Sequence, residues 1–182
     1  MYNIAVFISG NGTTLKRIID AEHNKEIELR VKLVVSSNDN ANGLLIAEEH
    51  NIQTLVSNNP EEIIKVLEEN EINYIILAGY LKKISLSIIE RYSKKIINVH
   101  PSLLPKYGGQ GMYGINVHKA VIDAGEKTSG ATVHYVDKEY DTGEIIDQCI
   151  VNISPNETAE SLQEKIKKEE KELLINVLKK FK

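Results

Sequence analysis

Two polar side chains suited to acyl-transfer chemistry close an otherwise apolar segment of this sequence. Asn98 and His100 follow Ile96 and Ile97 and are two positions apart, so on a β-strand both side chains point to the same side. An amide N–H and a protonated imidazole can each donate to an oxygen that is gaining negative charge. A lone histidine beside a turn is more often structural, but the neighbouring Asn98 favours a functional site.

A glycine-containing segment, Ser9–Thr14, joins the first predicted strand to the first predicted helix. Its glycines allow a tight turn and a close backbone approach to a ligand, and free amides at a helix N-terminus favour a phosphate. The segment lacks the third glycine of the dinucleotide fingerprint and the lysine of the P-loop. A tight turn with a threonine cap explains the same residues, so both interpretations stay open.

A second polar turn, residues 136–143, contains Asp141 and separates two apolar segments. The pattern Asp-x-Gly is common turn chemistry, which is the simplest explanation of Asp141. A structural hydrogen bond is likewise the simplest explanation of His134 on the preceding segment. Cys149 is the one cysteine in the sequence and is expected to be a buried core residue.

The elements that must position these residues follow from alternating apolar and amphipathic segments. Strands are predicted at Tyr2–Ile8, Arg30–Ser36, Gln53–Val56, Tyr74–Ala78 and Ile96–His100. Helices are predicted between them at Thr14–His23, at Ala41–His50, after the cap Asn59, and at Ser85–Tyr92. This order predicts an α/β fold with a doubly wound, mostly parallel sheet, whose ligands bind beyond the carboxyl ends of the strands.

The pattern changes in the last third of the chain. After a loop at Pro101–Tyr113 and a helix at Ile115–Ala124, two strands follow without a helix between them, at Gly130–Val136 and Glu144–Val151. This arrangement predicts antiparallel C-terminal strands. A long C-terminal helix is predicted over Thr158–Phe181, and residues 1–182 are expected to form a single domain.

Composition excludes several classes of function. The formal net charge of −4 argues against a polynucleotide partner, which usually requires a basic excess. No apolar stretch approaches the roughly 20 residues of a membrane span, and no secretory signal is recognisable. We therefore expect a cytoplasmic protein with neither a nucleic-acid nor a membrane partner. No metal site is expected, because no cysteine, histidine and aspartate cluster has metal-ligand spacing. The sequence leaves the oligomeric state open, a homodimer included.

Six segments together resemble the phosphoribosylglycinamide formyltransferases and, through them, the wider folate formyltransferases. They are Ile8–Leu15, Ser36–Asn38, Ile76–Leu81, Asn98–Tyr107, Gly130–Val136 and Asp141–Gly143, in the family's order and spacing. The most specific of them is Asn98–Tyr107. The resemblance implies a Rossmann-like formyltransferase fold, 10-formyltetrahydrofolate as co-substrate, and formyl transfer to the amine of glycinamide ribonucleotide in purine synthesis.

The resemblance also implies roles for individual residues. Asn98 and His100 match the family's catalytic Asn and His, and Asp141 matches a catalytic Asp that raises the pKa of the histidine. The substrate phosphate and ribose would be bound by Gly12, Thr13, Thr14 and Glu170. The folate would be bound by Leu81, Lys82, Lys83, Ile84, Asn98, Tyr140 and Asp141.

Some features depart from the family pattern or leave rivals open. The loop Gly108–Gly114 is longer than in the best-known members, and Ser57–Pro60 lacks an arginine that would hold the folate tail. Methionyl-tRNA formyltransferases typically carry a further RNA-binding domain, and formyltetrahydrofolate hydrolases an N-terminal regulatory domain; we expect neither here. A formyltransferase acting on another amine and a non-catalytic nucleotide-binding module on the same fold are the remaining alternatives.

Overall fold

A computed structural model describes residues 1–181 as alternating strands and helices. The strands are β1 (Tyr2–Ile8), β2 (Leu29–Ser36), β3 (Gln53–Val56), β4 (Tyr74–Leu77), β5 (Ile96–His100), β6 (Thr128–Tyr135) and β7 (Ile145–Asn152). The helices are α1 (Thr13–His23), α2 (Gly43–Glu49), α3 (Pro60–Glu69), α4 (Leu86–Arg91), α5 (Ile115–Asp123) and α6 (Ala159–Leu178). The predicted element order is confirmed, with boundaries that differ by a few residues.

The strands form one sheet in the order β3-β2-β1-β4-β5-β6-β7. Strand β1 pairs in parallel with β2 and β4, β2 pairs in parallel with β3, and β6 pairs antiparallel with β7. This confirms the doubly wound sheet with antiparallel C-terminal strands. The chain leaves β1 in one direction to β2 and later returns to its other side as β4. The carboxyl ends of β1 and β4 therefore mark a topological switch point, where such sheets bind ligands.

The described part of the chain consists of two compact units, and the first comprises Met1–Ile97 together with residues 178–181. Its core is built on β1, in which Ile4 to Ile8 are completely buried. Helix α1 adds the buried side chains of Leu15, Ile18 and Ile19. A strand that is apolar on both faces is typical of a parallel sheet covered by helices on both sides.

The second unit comprises Asn98–Val177. Part of its core is an apolar cluster of Val121, Leu162 and Ile166, against which Tyr107 and Val151 pack. Cys149 is half-buried rather than a core residue, so that expectation was wrong. The reason is its position on β7, the last strand of the sheet, where side chains are only partly covered. Within residues 1–181 no helix is both long and apolar enough to cross a membrane.

Gly12 meets two backbone requirements at the start of α1. Its φ of 71° lies in the left-handed region, which other residues rarely adopt. A Cβ atom at this position would lie 2.5 Å from the Cα of Gly43, where α2 begins. The Gly43 amide also donates to the Gly10 carbonyl, at 3.1 Å. Gly12 is therefore needed for the close approach of two helix N-termini, whether or not a ligand binds there.

We predict that Gly12→Ala destabilises the protein by about 2–4 kcal/mol, because it combines left-handed strain with overpacking against Gly43. Gly10→Ala is the matched control: no atom lies within 4 Å of a Cβ there. Urea unfolding of both variants measures the difference. Equal losses in the two would show that the contact with Gly43 does not constrain the loop.

Candidate active site

His100 lies at the end of β5 with only 4% of its surface exposed, and both of its ring nitrogens face oxygen atoms. Its Nε2 is 2.8 Å from the backbone carbonyl oxygen of Tyr107. Its Nδ1 is 3.4 Å from Oδ2 of Asp141. A carbonyl can only accept, so Nε2 carries a hydrogen. The carboxylate then stands beside Nδ1, the nitrogen that gains a proton when the ring becomes charged.

Asp141 is held in place by backbone as well as side-chain contacts. Its own φ of 55° is left-handed, a strained conformation for a residue other than glycine. Its Oδ2 accepts from the Gly109 amide at 2.9 Å. The preceding Gly108 permits this approach, because a Cβ there would lie 2.5 Å from Leu104 Cδ2 and 3.1 Å from Asp141 Cβ. The loop that departs from the family pattern thus begins by positioning the carboxylate.

His134 connects Asn98 to Asp141. Its Nδ1 donates to the Tyr135 carbonyl at 2.9 Å, so in the neutral ring Nε2 is an acceptor. That Nε2 accepts from Nδ2 of Asn98 at 3.1 Å, and it lies 3.6 Å from Oδ1 of Asp141. The amide of Asn98 is therefore oriented, and its Nδ2 keeps a second N–H for another acceptor. Asn98, His134, Asp141 and His100 form one connected group.

The charges in this group are set by burial and by its own members. Burial lowers the pKa of His100, and this effect outweighs Asp141 and the Tyr107 carbonyl, which both raise it. Burial acts to raise the pKa of Asp141, but His134, His100 and the Gly109 amide together hold it below its usual value. Near neutral pH the ligand-free group thus has a charged Asp141 and a neutral His100. Asp141 acts on the pKa of His100 in the direction that the resemblance implies, but burial lowers that pKa by more.

A third imidazole, that of His118 on α5, is buried at 2% exposure, and its Nδ1 has no hydrogen-bond partner. Burial, followed by the charges of Lys167 and His100, lowers its pKa to about 4. His118 is therefore neutral under ordinary conditions. When the pH falls, the ring must gain a proton on a nitrogen that has no partner. Protonation of His118 is therefore expected to destabilise the fold.

The folded pKa of His118 lies below its ordinary value of 6.5, so stability is fully present above that pH and is lost as the pH falls toward 4. Between pH 7 and pH 4, we predict that the wild type loses about 3 kcal/mol more stability than His118→Gln. Urea unfolding at the two pH values measures this. Parallel losses in both proteins would contradict the prediction.

The Ser9–Thr14 loop leads into a helix whose first turn has no side-chain cap. The N-cap is Gly12, and the first helical bond runs from the Lys16 amide to the Gly12 carbonyl. The alternative of a threonine cap was therefore wrong. The amides of Thr13 and Thr14 precede that first bond, so they have no helical acceptor and stand at the positive end of the α1 dipole. This is a suitable site for an anion.

Beyond β4, the segment Leu81–Ile84 is fixed at both of its ends. The Leu81 amide donates to Ser9 Oγ at 3.0 Å, and that hydroxyl contacts Ser37 Oγ at 2.8 Å. At the other end Ile84 is buried, while the Leu81 side chain is 65% exposed. Lys82 and Lys83 are also exposed. A backbone segment held at both ends that presents an apolar side chain to solvent is suited to contact a flat ligand.

Two further predicted residues differ in their surroundings. Glu170 on α6 is partly buried, and burial raises its pKa to about 7 against the opposing charges of Lys167 and Lys171. Its carboxyl group can therefore hold a proton near neutral pH. Tyr140, next to Asp141, is 41% exposed.

Sequence reasoning missed several contributors to the group around His100. It assigned His134 a structural hydrogen bond, although the residue contacts both Asn98 and Asp141. It did not foresee the Tyr107 carbonyl or the Gly109 amide, because backbone groups leave no mark in residue type. For His134 there was one signal, its place in the segment Gly130–Val136 that carries the resemblance.

Comparison with known proteins places the chain in a family. The family model described as formyl transferase matches residues 2–178, and the chain belongs to this family. It is 36% identical over 185 residues to a chloroplastic phosphoribosylglycinamide formyltransferase of Arabidopsis thaliana, covering 96% of this chain and 63% of that one. It is 37% identical over 190 residues to the phosphoribosylglycinamide formyltransferase of Haemophilus influenzae, covering 100% and 87%.

Among solved structures, glycinamide ribonucleotide transformylase 1 from Geobacillus kaustophilus is 35% identical, with a TM-score of 0.90 over 99% of this chain and 98% of that one. This similarity confirms the Rossmann-like formyltransferase fold. The chain spans about three fifths of the length of the plant relatives that it matches.

Proposed function

We propose that this chain transfers the formyl group of 10-formyltetrahydrofolate to the amine of glycinamide ribonucleotide, a step of purine synthesis. The observation that carries the proposal is the connected group of Asn98, His134, Asp141 and His100 in a member of the formyl transferase family. A binding module would have no use for an oriented amide and a buried imidazole–carboxylate pair together. The names of the relatives support the choice of acceptor.

The reaction requires donors to the formyl oxygen as the acceptor amine attacks the formyl carbon. The free N–H on Nδ2 of Asn98 is one such donor, because its other N–H is occupied by His134. Orientation in advance matters here, since a donor that need not reorganise stabilises the developing oxyanion most. His134 therefore acts through Asn98 as a positioning residue.

His100 and Asp141 supply the proton chemistry. His100 is neutral in the ligand-free protein because burial outweighs the charge of Asp141. The attacking amine loses a proton as its bond to the formyl carbon forms, and the negative charge developing on the formyl oxygen favours transfer of that proton to Nδ1 of His100, which faces Asp141. At 3.4 Å this contact is longer than a good hydrogen bond, so the Nδ1 proton can be delivered toward the departing folate nitrogen. Asp141 remains the charged partner throughout.

The substrates would be bound by groups already described. The unpartnered amides of Thr13 and Thr14, behind Gly12, suit the phosphate of the ribonucleotide. Glu170, whose pKa is raised by burial to about 7, can exchange hydrogen bonds with ribose hydroxyls as donor or acceptor. The segment Leu81–Ile84 and the exposed Tyr140 suit the folate ring, and Lys82 and Lys83 could pair with its carboxylates. The mechanism assigns no step to a metal.

Other functions for this group are less well supported. Transfer to a tRNA would require a basic surface for its phosphates, whereas the chain carries a net charge of −4. Hydrolysis of the formyl-folate uses the same donors with water as the nucleophile, and an anion site at α1 would then have no purpose. We therefore propose small-molecule substrates, no nucleic-acid or membrane partner, and a cytoplasmic location.

The choice of acceptor is tested directly by spectroscopy. With 10-formyltetrahydrofolate, we expect glycinamide ribonucleotide to drive formation of tetrahydrofolate and initiator methionyl-tRNA to fail. His100→Ala serves as the control for contaminating activity. Comparable turnover with the tRNA, or with water alone, would contradict the proposal.

A further prediction concerns the coupling of His100 and Asp141. We expect His100→Ala to lower kcat by roughly two to three orders of magnitude, as for the loss of a general acid or oxyanion donor. Asp141→Asn keeps the shape but removes the charge that favours the imidazolium, so a similar loss is expected. Residues that act as a unit give non-additive losses, and the double variant should be little worse than the worse single one. Steady-state kinetics of the wild type, both single variants and the double variant measure this. If the two losses in kcat simply multiply in the double variant, the mechanism is contradicted.

A further inference from the structure

Tyr107 contacts His100 with its backbone and anchors itself elsewhere with its side chain. Its carbonyl oxygen accepts from His100 Nε2 at 2.8 Å. Its phenol hydroxyl donates to Oε1 of Glu126 at 2.9 Å, in the connection between α5 and β6. Its φ of 57° is left-handed, so the backbone is held in a conformation that tyrosine does not prefer. Such a conformation persists only where its surroundings enforce it.

We propose that Tyr107 is a positioning residue for His100, in which the bond between the phenol and Glu126 fixes the carbonyl that holds the Nε2 hydrogen. The inference rests on the proposed function only in assuming that His100 performs proton chemistry.

Three independent contacts hold the carbonyl of Tyr107 in place. The ring packs against the apolar cluster of Val121, Leu162 and Ile166. The Ser102 hydroxyl donates to the Lys106 carbonyl at 2.7 Å and reaches the Tyr107 carbonyl at 3.5 Å. The phenol is the polar contact, and burial followed by Glu126 raises its pKa, so it remains a hydrogen-bond donor at neutral pH. Without Glu126, only apolar packing and Ser102 would resist rotation of this peptide.

The carbonyl matters because His100 has few groups that favour its charged form. Asp141 and the Tyr107 carbonyl favour the proton, while burial and His134 oppose it. A charged His100 in turn lowers the pKa of His118. A loosened carbonyl would therefore lower the pKa of His100 further. It would also free the ring to exchange its Nε2–H tautomer for the Nδ1–H form, which would place the hydrogen beside Asp141.

Nitrogen-15 NMR of His100 in the ligand-free full chain tests the proposal without reference to catalysis. In the wild type we expect the Nε2–H tautomer. Tyr107→Phe and Glu126→Ala each remove the anchor and should lower the pKa of His100 by about half a unit. Tyr107→Gly, which accepts a left-handed φ at no cost, removes the ring as well and should lower it further. Lys106→Met is the matched control. The Lys106 ammonium donates to the same Oε1 of Glu126 at 2.9 Å but forms no hydrogen bond with the side chain of Tyr107.

Kinetics give the second readout. Tyr107→Phe and Glu126→Ala should lower kcat by roughly three- to tenfold with little change in KM, and together no more than either alone, since they break one link. Lys106→Met should remain near wild type in both measurements. An unchanged His100 pKa and tautomer in folded Tyr107→Phe, Glu126→Ala and Tyr107→Gly would overturn the proposal. Absence of formyl transfer in the wild type would instead refute the proposed function and leave the NMR result standing.

Discussion

The contact between a buried imidazole and a buried carboxylate is the constraint on which the rest of the candidate site depends. His100 and Asp141 are both largely withdrawn from water, and neither is stable there without partners. The Gly109 amide donates to the carboxylate, while the Tyr107 carbonyl accepts from the other side of the imidazole. Each of these partners is itself held by neighbouring backbone. The loop after β5 and the turn before β7 are therefore shaped by the needs of two side chains.

These loops can adopt their shape because glycines allow neighbouring segments of the chain to approach closely. Gly108 stands where any side chain would collide with Leu104, and its absence of a Cβ lets the next amide reach Asp141. Gly12 plays the corresponding part against Gly43 at the start of α1. In both places the glycine is required because a Cβ would collide with a neighbouring segment. The exposure of nearby backbone amides to hydrogen-bond acceptors follows from that close packing. Left-handed conformations at Tyr107 and Asp141 show that residues other than glycine are held in strained backbone at the same site.

Burial shifts the pKa values of acids and bases in this chain in opposite directions. It lowers the pKa of His100 and His118 and raises that of Glu170. Near neutral pH the two imidazoles are therefore neutral, Glu170 is protonated in part, and Asp141 is the charged member of the central group. The protonation of such groups responds to the charge of bound substrates, because the pKa values of His100, His118 and Glu170 are shifted from their ordinary values.

The sequence by itself determined the fold class and the first two residues of the site. Alternating apolar and amphipathic segments are sufficient for a doubly wound sheet, because periodicity reflects which faces must be buried. Asn98 and His100 could be paired from their spacing on one strand, and Asn59 could be recognised as a cap from local hydrogen-bonding rules. Asp141 could be matched only through the resemblance to a family, since its own pattern indicates nothing beyond a turn.

Only the tertiary structure decided how these residues act. It brought Asp141 and His134 to Asn98 and His100 from another part of the chain, and it supplied partners from the backbone of Tyr107 and Gly109. It made burial a larger influence than Asp141 on the pKa of His100, and it left Cys149 half-exposed. The physical reason is common to all of these: burial, strand position and backbone contacts arise from residues distant in sequence. No local pattern records them.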